Sequence, residues 1–120
     1  MANIRLGFVS NSSSSSFIIT NKSDKDLTLA DFVEENKYLL NEYIEQYSWN
    51  PEDEDFKERY THDNMLYSAR ERGTIFEANT SKETVFGDEQ GDLIGVVYDY
   101  ILRNGGESKN FKWRYHEALR

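Results

Sequence analysis

Cysteine is absent from this chain, proline occurs once at Pro51, and histidine and methionine occur twice each. The missing cysteines exclude disulfides, thiol catalysis and thiolate metal sites, and they fit a reducing compartment. No apolar run approaches the ~20 residues that span a bilayer, and no hydrophobic signal segment is visible. The expected setting is therefore the cytoplasm, away from membranes. His62 and His116 each lack a second histidine at ligand spacing, so the sequence offers no metal site. No Gly-x-Ser-x-Gly elbow accompanies the many serines, and no P-loop pattern of glycines and lysine occurs. These gaps point to a protein with no catalytic residues and no cofactor.

What the chain does contain is aromatic residues and negative charge. At 120 residues it is long enough for one core, and it reads as a single domain over residues 1–120. Aromatics make up 14% of it, with tyrosine commonest at eight, which favours a folded core over disorder. The formal net charge is −8, and it is unevenly placed. Residues 28–63 hold eleven Asp or Glu against three Lys or Arg, so that stretch alone carries −8. The last twelve residues carry +3, from Lys109, Lys112, Arg114 and Arg120 against Glu117. An acidic middle of this kind repels nucleic acid over most of the surface.

Local patterns predict an α+β fold, a small antiparallel or mixed sheet with three to four helices packed on one face. Ile4, Leu6 and Phe8 alternate with Arg5, Gly7 and Val9 as a first strand, and Phe17 to Thr20 form a second. Thr28 caps a helix with Asp31 in its first turn. Phe32, Val33, Leu39, Leu40, Tyr43, Ile44 and Tyr47 then make one apolar stripe, which predicts a single helix over about residues 29–47. Asn50 and Pro51 mark another helix start, and Thr61 and Gly73 bracket a helix carrying Met65, Leu66 and Ala69. The spacing leaves open whether residues 51–72 form one kinked helix or two. Residues 74–78 and 83–86 read as strands joined by a turn at Asn79 to Lys82, followed by an apolar helix from Gly91-Asp92 to Gly105-Gly106. Phe111, Trp113 and Tyr115 alternate with Lys112, Arg114 and His116 in a last strand. Period two puts the rings on one face and the cations on the other, which disfavours a nucleic-acid stacking platform.

Between the first two strands lies Ser10-Asn11-Ser12-Ser13-Ser14-Ser15-Ser16. Nine residues precede it, too few to fold alone, so it belongs to the main domain as a connection or as the extension of a strand. Its hydroxyls and backbone N–H groups make Ser10, Asn11, Ser12, Ser13 and Ser14 a candidate anion cradle. Serial hydroxyls are also candidate modification targets. The opening as a whole, with Gly7-Phe8-Val9-Ser10-Asn11, five serines and Phe17, resembles a family of small bacterial and bacteriophage proteins with no assigned activity. The resemblance covers roughly the first twenty residues. It implies a prokaryotic or phage source, a cytoplasmic life and a chain that begins at its natural start, and it carries over no site residue.

Glu52-Asp53-Glu54-Asp55 with Glu58 is the densest acidic cluster. It lacks the ligand register and central glycine of an EF-hand, and on a helix its side chains spread round the axis. A solvated helix start or a partner-binding face fits it better. The expected contact set is Glu45, Tyr47, Trp49, Glu52, Asp53, Glu54, Asp55 and Glu58, with the tyrosine and tryptophan as anchors. The functional expectation is a phage-type accessory protein that docks on a host protein or nucleoprotein and modulates it, for example as an anti-defence factor. The alternatives are a virion or assembly component, and a small phosphate- or nucleotide-binding protein using Ser10 to Ser16.

Overall fold

The computed structural model describes residues 14–47, 58–87 and 92–119. In chain order the elements are β1 (Ser14–Asn21), β2 (Leu27–Thr28), α1 (Leu29–Glu35), α2 (Tyr38–Tyr47), α3 (His62–Arg72), β3 (Ile75–Phe76), β4 (Ser81–Gly87), α4 (Leu93–Ile101), β5 (Gly106–Glu107) and β6 (Phe111–Leu119). A 3₁₀ turn, Leu102–Asn104, extends α4. The main sheet is antiparallel with strand order β4-β1-β6-β5, and β2 pairs with β3 in a separate two-stranded ribbon. The fold is α+β, as the sequence patterns predict. The strand expected over residues 4–9 and the helix start at Asn50-Pro51 lie outside the described residues.

Helix boundaries follow local capping chemistry. Thr28 accepts from the Asp31 amide while the Asp31 carboxylate accepts from the Thr28 amide, a reciprocal pair that satisfies two otherwise orphaned donors at the start of α1. Thr61 caps α3 through the Asn64 amide, and Gly73 closes that helix at φ 66°, a left-handed position that suits glycine. Asp92 caps α4 through the Gly95 amide. Residues 58–59 are helical and residue 60 is a bend, so the chain breaks before Thr61 and residues 58–72 are not one continuous helix.

One helix expectation is corrected. The continuous stripe over residues 29–47 is split into α1 and α2 by Asn36 and Lys37. Asn36 leaves helical geometry at φ −121°, ψ 47°, and both its backbone N–H and its side-chain amide donate to the Phe32 carbonyl. A buried asparagine competing for backbone partners ends a helix that hydrophobic periodicity alone would carry through. The apolar stripe survives the break: Phe32, Val33, Leu39, Leu40 and Tyr43 are all buried.

Of the two readings of the serine segment, strand extension holds for its described part: Ser14, Ser15 and Ser16 open β1, the strand between β4 and β6, and all three are buried. Their small side chains let the strands on both sides close over them. After them, Phe17 and Ile19 point into the core with Phe86, Phe111 and Trp113. Phe32 from α1 is the hub, with ring centroids 5.0 Å from Phe111, 5.1 Å from Trp113 and 5.5 Å from Tyr98. Edge-on packing of this kind adds to the burial of each ring. Tyr115, expected on the core face, is 38% exposed, and its ring stands edge-on to Phe17 at the margin of that face.

Polar side chains tie the elements together from inside. Buried Asn21 donates to the carbonyls of Lys25 and Phe76, and its Oδ1 accepts from Ser23, which locks the turn after β1 onto β3. Glu35, at the end of α1, accepts from the Ser108 hydroxyl, the Asn110 backbone N–H and the Asn110 side chain. That single carboxylate fastens the β5–β6 turn to the helical layer.

Candidate functional site

The helical layer presents a run of exposed carboxylates. On α2, Tyr38, Glu42 and Glu45 share one face at spacings of four and three residues, and all three are exposed. Tyr38 is 47% exposed, and its hydroxyl is held above its ordinary pKa by partial burial and then by the Glu42 charge. Glu34 lies near the end of α1, with Lys37 Nζ at 3.7 Å and His62 Nε2 at 3.4 Å. His62 begins α3, so this contact joins the acidic end of α1 to the start of α3, where Asp63 is exposed and Glu58 stands exposed just before the cap. Among the described residues Glu42, Glu45, Glu58 and Asp63 form no ion pair. Tyr67, one turn along from Asp63 on α3, is 58% exposed.

Of the expected contact residues, Glu45 on α2 and Glu58 ahead of α3 are exposed. Tyr47 is the last residue of α2. Trp49, Glu52, Asp53, Glu54 and Asp55 lie outside the described residues. Of the candidate anion-binding set, Ser10, Asn11, Ser12 and Ser13 also lie outside them. Ser14 is buried in β1, paired on both sides opposite Gly87 and Leu119.

Beside α3 an open groove of about 370 Å³ is lined by Tyr67, Ser68, Asp92 and Leu93, among others. Two of its polar side chains, Ser68 and Asp92, already have structural duties. The Ser68 hydroxyl accepts from the Ile94 amide, and Asp92 both caps α4 and holds Arg72. Arg72 also donates to the Val85 carbonyl, with its guanidinium 4.7 Å from the Phe86 ring.

A second cluster forms on the sheet face turned away from the helices. Glu83 on β4 and His116 with Glu117 on β6 each bring one ligand atom to within 4.8 Å of the others. Adjacent strand residues ordinarily point to opposite faces. Here the β1–β6 register slips between Ser16 and Phe17, with Ser16 opposite Glu117 and Phe17 opposite Tyr115. His116 is the extra residue of this β-bulge, and a bulge re-aims side chains. The buried Ser16 hydroxyl donates to Glu83 from the strand between.

Comparison with known protein families, curated proteins and solved structures finds no match. The function must therefore be argued from these two surfaces. The exposed face of α2 was readable from the spacing of Tyr38, Glu42 and Glu45. The Glu83, His116 and Glu117 cluster was not, because only strand pairing brings it together.

Proposed function

We propose that the protein is a non-catalytic docking factor that engages a basic surface on a partner macromolecule through the acidic face of α2 and the start of α3. The observation that carries this reading is the set of exposed carboxylates Glu42, Glu45, Glu58 and Asp63, none of them in an ion pair among the described residues, together with exposed Tyr38 on α2 and Tyr67 on α3. Like charges gathered without counter-ions are tolerated on a solvated helix face, and they steer a cationic partner toward it. The tyrosines supply broad, stiff contact area of the kind that anchors interfaces. The same field disfavours direct binding to nucleic acid. A host protein or the protein component of a nucleoprotein is the partner class that fits, and an anti-defence role in a phage-infected bacterium is the setting to test first.

The test is capture from bacterial lysate by the intact chain, followed by quantification on the purified partner. Replacing Glu42, Glu45 and Glu58 together by lysine should abolish capture while far-UV circular dichroism and thermal unfolding stay unchanged. Affinity should also fall steeply as added salt shortens the Debye length below its physiological ~8 Å. A partner that binds the charge-reversed protein equally well sinks the reading.

A further inference from the structure

We infer that Glu83, His116 and Glu117 form a binding site for a divalent transition-metal ion, for which Zn²⁺ fits best, on the face of the sheet away from the helices. The inference is independent of the docking surface, which lies on the other side of the molecule.

The ligand set is mixed: one imidazole and two carboxylates, each exposed and each offering an atom within 4.8 Å of the other two. An ion bound at the usual ~2.0–2.2 Å draws its ligand atoms to about 3–4 Å apart. Rotation of exposed side chains closes that gap without moving the strands. His116 Nε2 and Glu117 Oε1 are already 4.0 Å apart. Neither carboxylate forms an ion pair with lysine or arginine among the described residues, although Arg114 stands on the same face, across Ile18 from Glu83.

The backbone supplies the convergence. A regular β6 would turn His116 and Glu117 to opposite faces; the bulge opposite Ser16 presents both to Glu83 across the central strand. Ser16 then acts on Glu83 as an outer partner. Its fully buried hydroxyl donates to Glu83 Oε2, leaving the second carboxylate oxygen for the ion. Partners of this type orient metal-ligating carboxylates and tune their affinity. Three protein ligands leave at least one coordination position open to water or to a further ligand. Calcium, which takes 6–8 oxygen ligands, and magnesium, which demands a near-ideal oxygen octahedron, are poorly served by this set. Imidazole with carboxylate suits the later first-row ions, among which zinc binds tightly without redox chemistry.

The experiment is calorimetric titration of the untagged full chain with ZnCl₂ in a buffer that does not chelate, read beside a thermal-unfolding scan. The expected result is one saturable site and a rise in melting temperature that grows with zinc concentration. His116→Gln and Glu83→Gln should each weaken binding at least tenfold, and Glu117→Gln provides a second carboxylate variant should either of these misfold. Ser16→Ala should weaken it by about ten- to hundredfold with the first ligands intact. His62→Gln, which alters the other histidine, should leave it unchanged. The inference is overturned if zinc shows no saturable binding, if the His116 and Glu83 variants bind as the parent does, or if Ca²⁺ and Mg²⁺ bind as tightly as zinc.

Discussion

Replacing Arg72 by methionine should lower stability by about 3 kcal/mol, because this side chain joins three elements through a largely buried ion pair. Arg72 Nε lies 2.5 Å from Asp92 Oδ2 and Nη2 lies 3.1 Å from Oδ1, while Nη1 donates to the Val85 carbonyl at 2.7 Å. The two charged side chains are only 15% and 25% exposed. An exposed ion pair would contribute ~0.2–1 kcal/mol, whereas breaking a buried one costs ~3–5 kcal/mol. The limited exposure places this pair near the lower end of the buried range. Asp92 has a second duty as cap of α4, and Asp92→Asn separates the two roles. Asparagine caps as well as aspartate, so that variant should lose only the charge-assisted part, about 1–2 kcal/mol. The double variant should cost less than the sum of the singles, since each removes the same contact. Urea unfolding followed by tryptophan fluorescence measures all three variants, with buried Trp113 as a reporter of the core. A cost for Arg72→Met below about 0.5 kcal/mol, or strict additivity with Asp92→Asn, would mark the pair as an ordinary surface contact.

Glu35 supplies a pH prediction. Burial raises its pKa, but the hydrogen bonds from Ser108 and Asn110, together with the Lys109 charge, outweigh burial and hold the carboxyl below its ordinary range. A depressed folded-state pKa gives stability that is complete above the unfolded value of about 4.3 and is lost as pH falls through the lower folded value. Urea midpoints measured between neutral pH and pH 3 should therefore fall less steeply in Glu35→Gln than in the parent; identical acid limbs would contradict this. Gly106→Ala should destabilise the protein by about 2 kcal/mol by overpacking. The added methyl carbon would sit 2.4 Å from Trp113 Cζ2, and that ring is fixed against Phe32. A blue-shifted or quenched Trp113 emission with an unchanged urea midpoint would show instead that the ring yields.

Capping chemistry was the most legible part of the chain. Thr28 with Asp31 at the start of α1, Thr61 and Gly73 at the two ends of α3, and Asp92 ahead of an apolar run each mark a helix end where the pattern puts it. The break at Asn36 was not legible, because the apolar stripe runs through it and the decisive contact is one side-chain amide reaching the Phe32 carbonyl. Serine is a poor strand former, and Ser14 to Ser16 become sheet only because β4 and β6 close on both sides of them. For the same reason the sheet-face cluster was hidden. Strict alternation separates His116 from Glu117, and only the slip in register against β1 turns them the same way. Charge, by contrast, read through directly: the helical carboxylates Glu42, Glu45, Glu58 and Asp63 are solvent-facing, as the polar positions of amphipathic helices should be.

The middle position of β1 ties the timing of folding to the far end of the chain. Its neighbours begin at Ser81 and Phe111, so every rung on either side of β1 closes a long loop. Pairings of this separation form late and slowly. During synthesis, Phe17, Ile18 and Ile19 emerge early and then wait, with one flank unzipped until the ribosome has released β6. A nascent chain stalled before Phe111 would display a sticky apolar seam, the sort of template on which stray strands assemble.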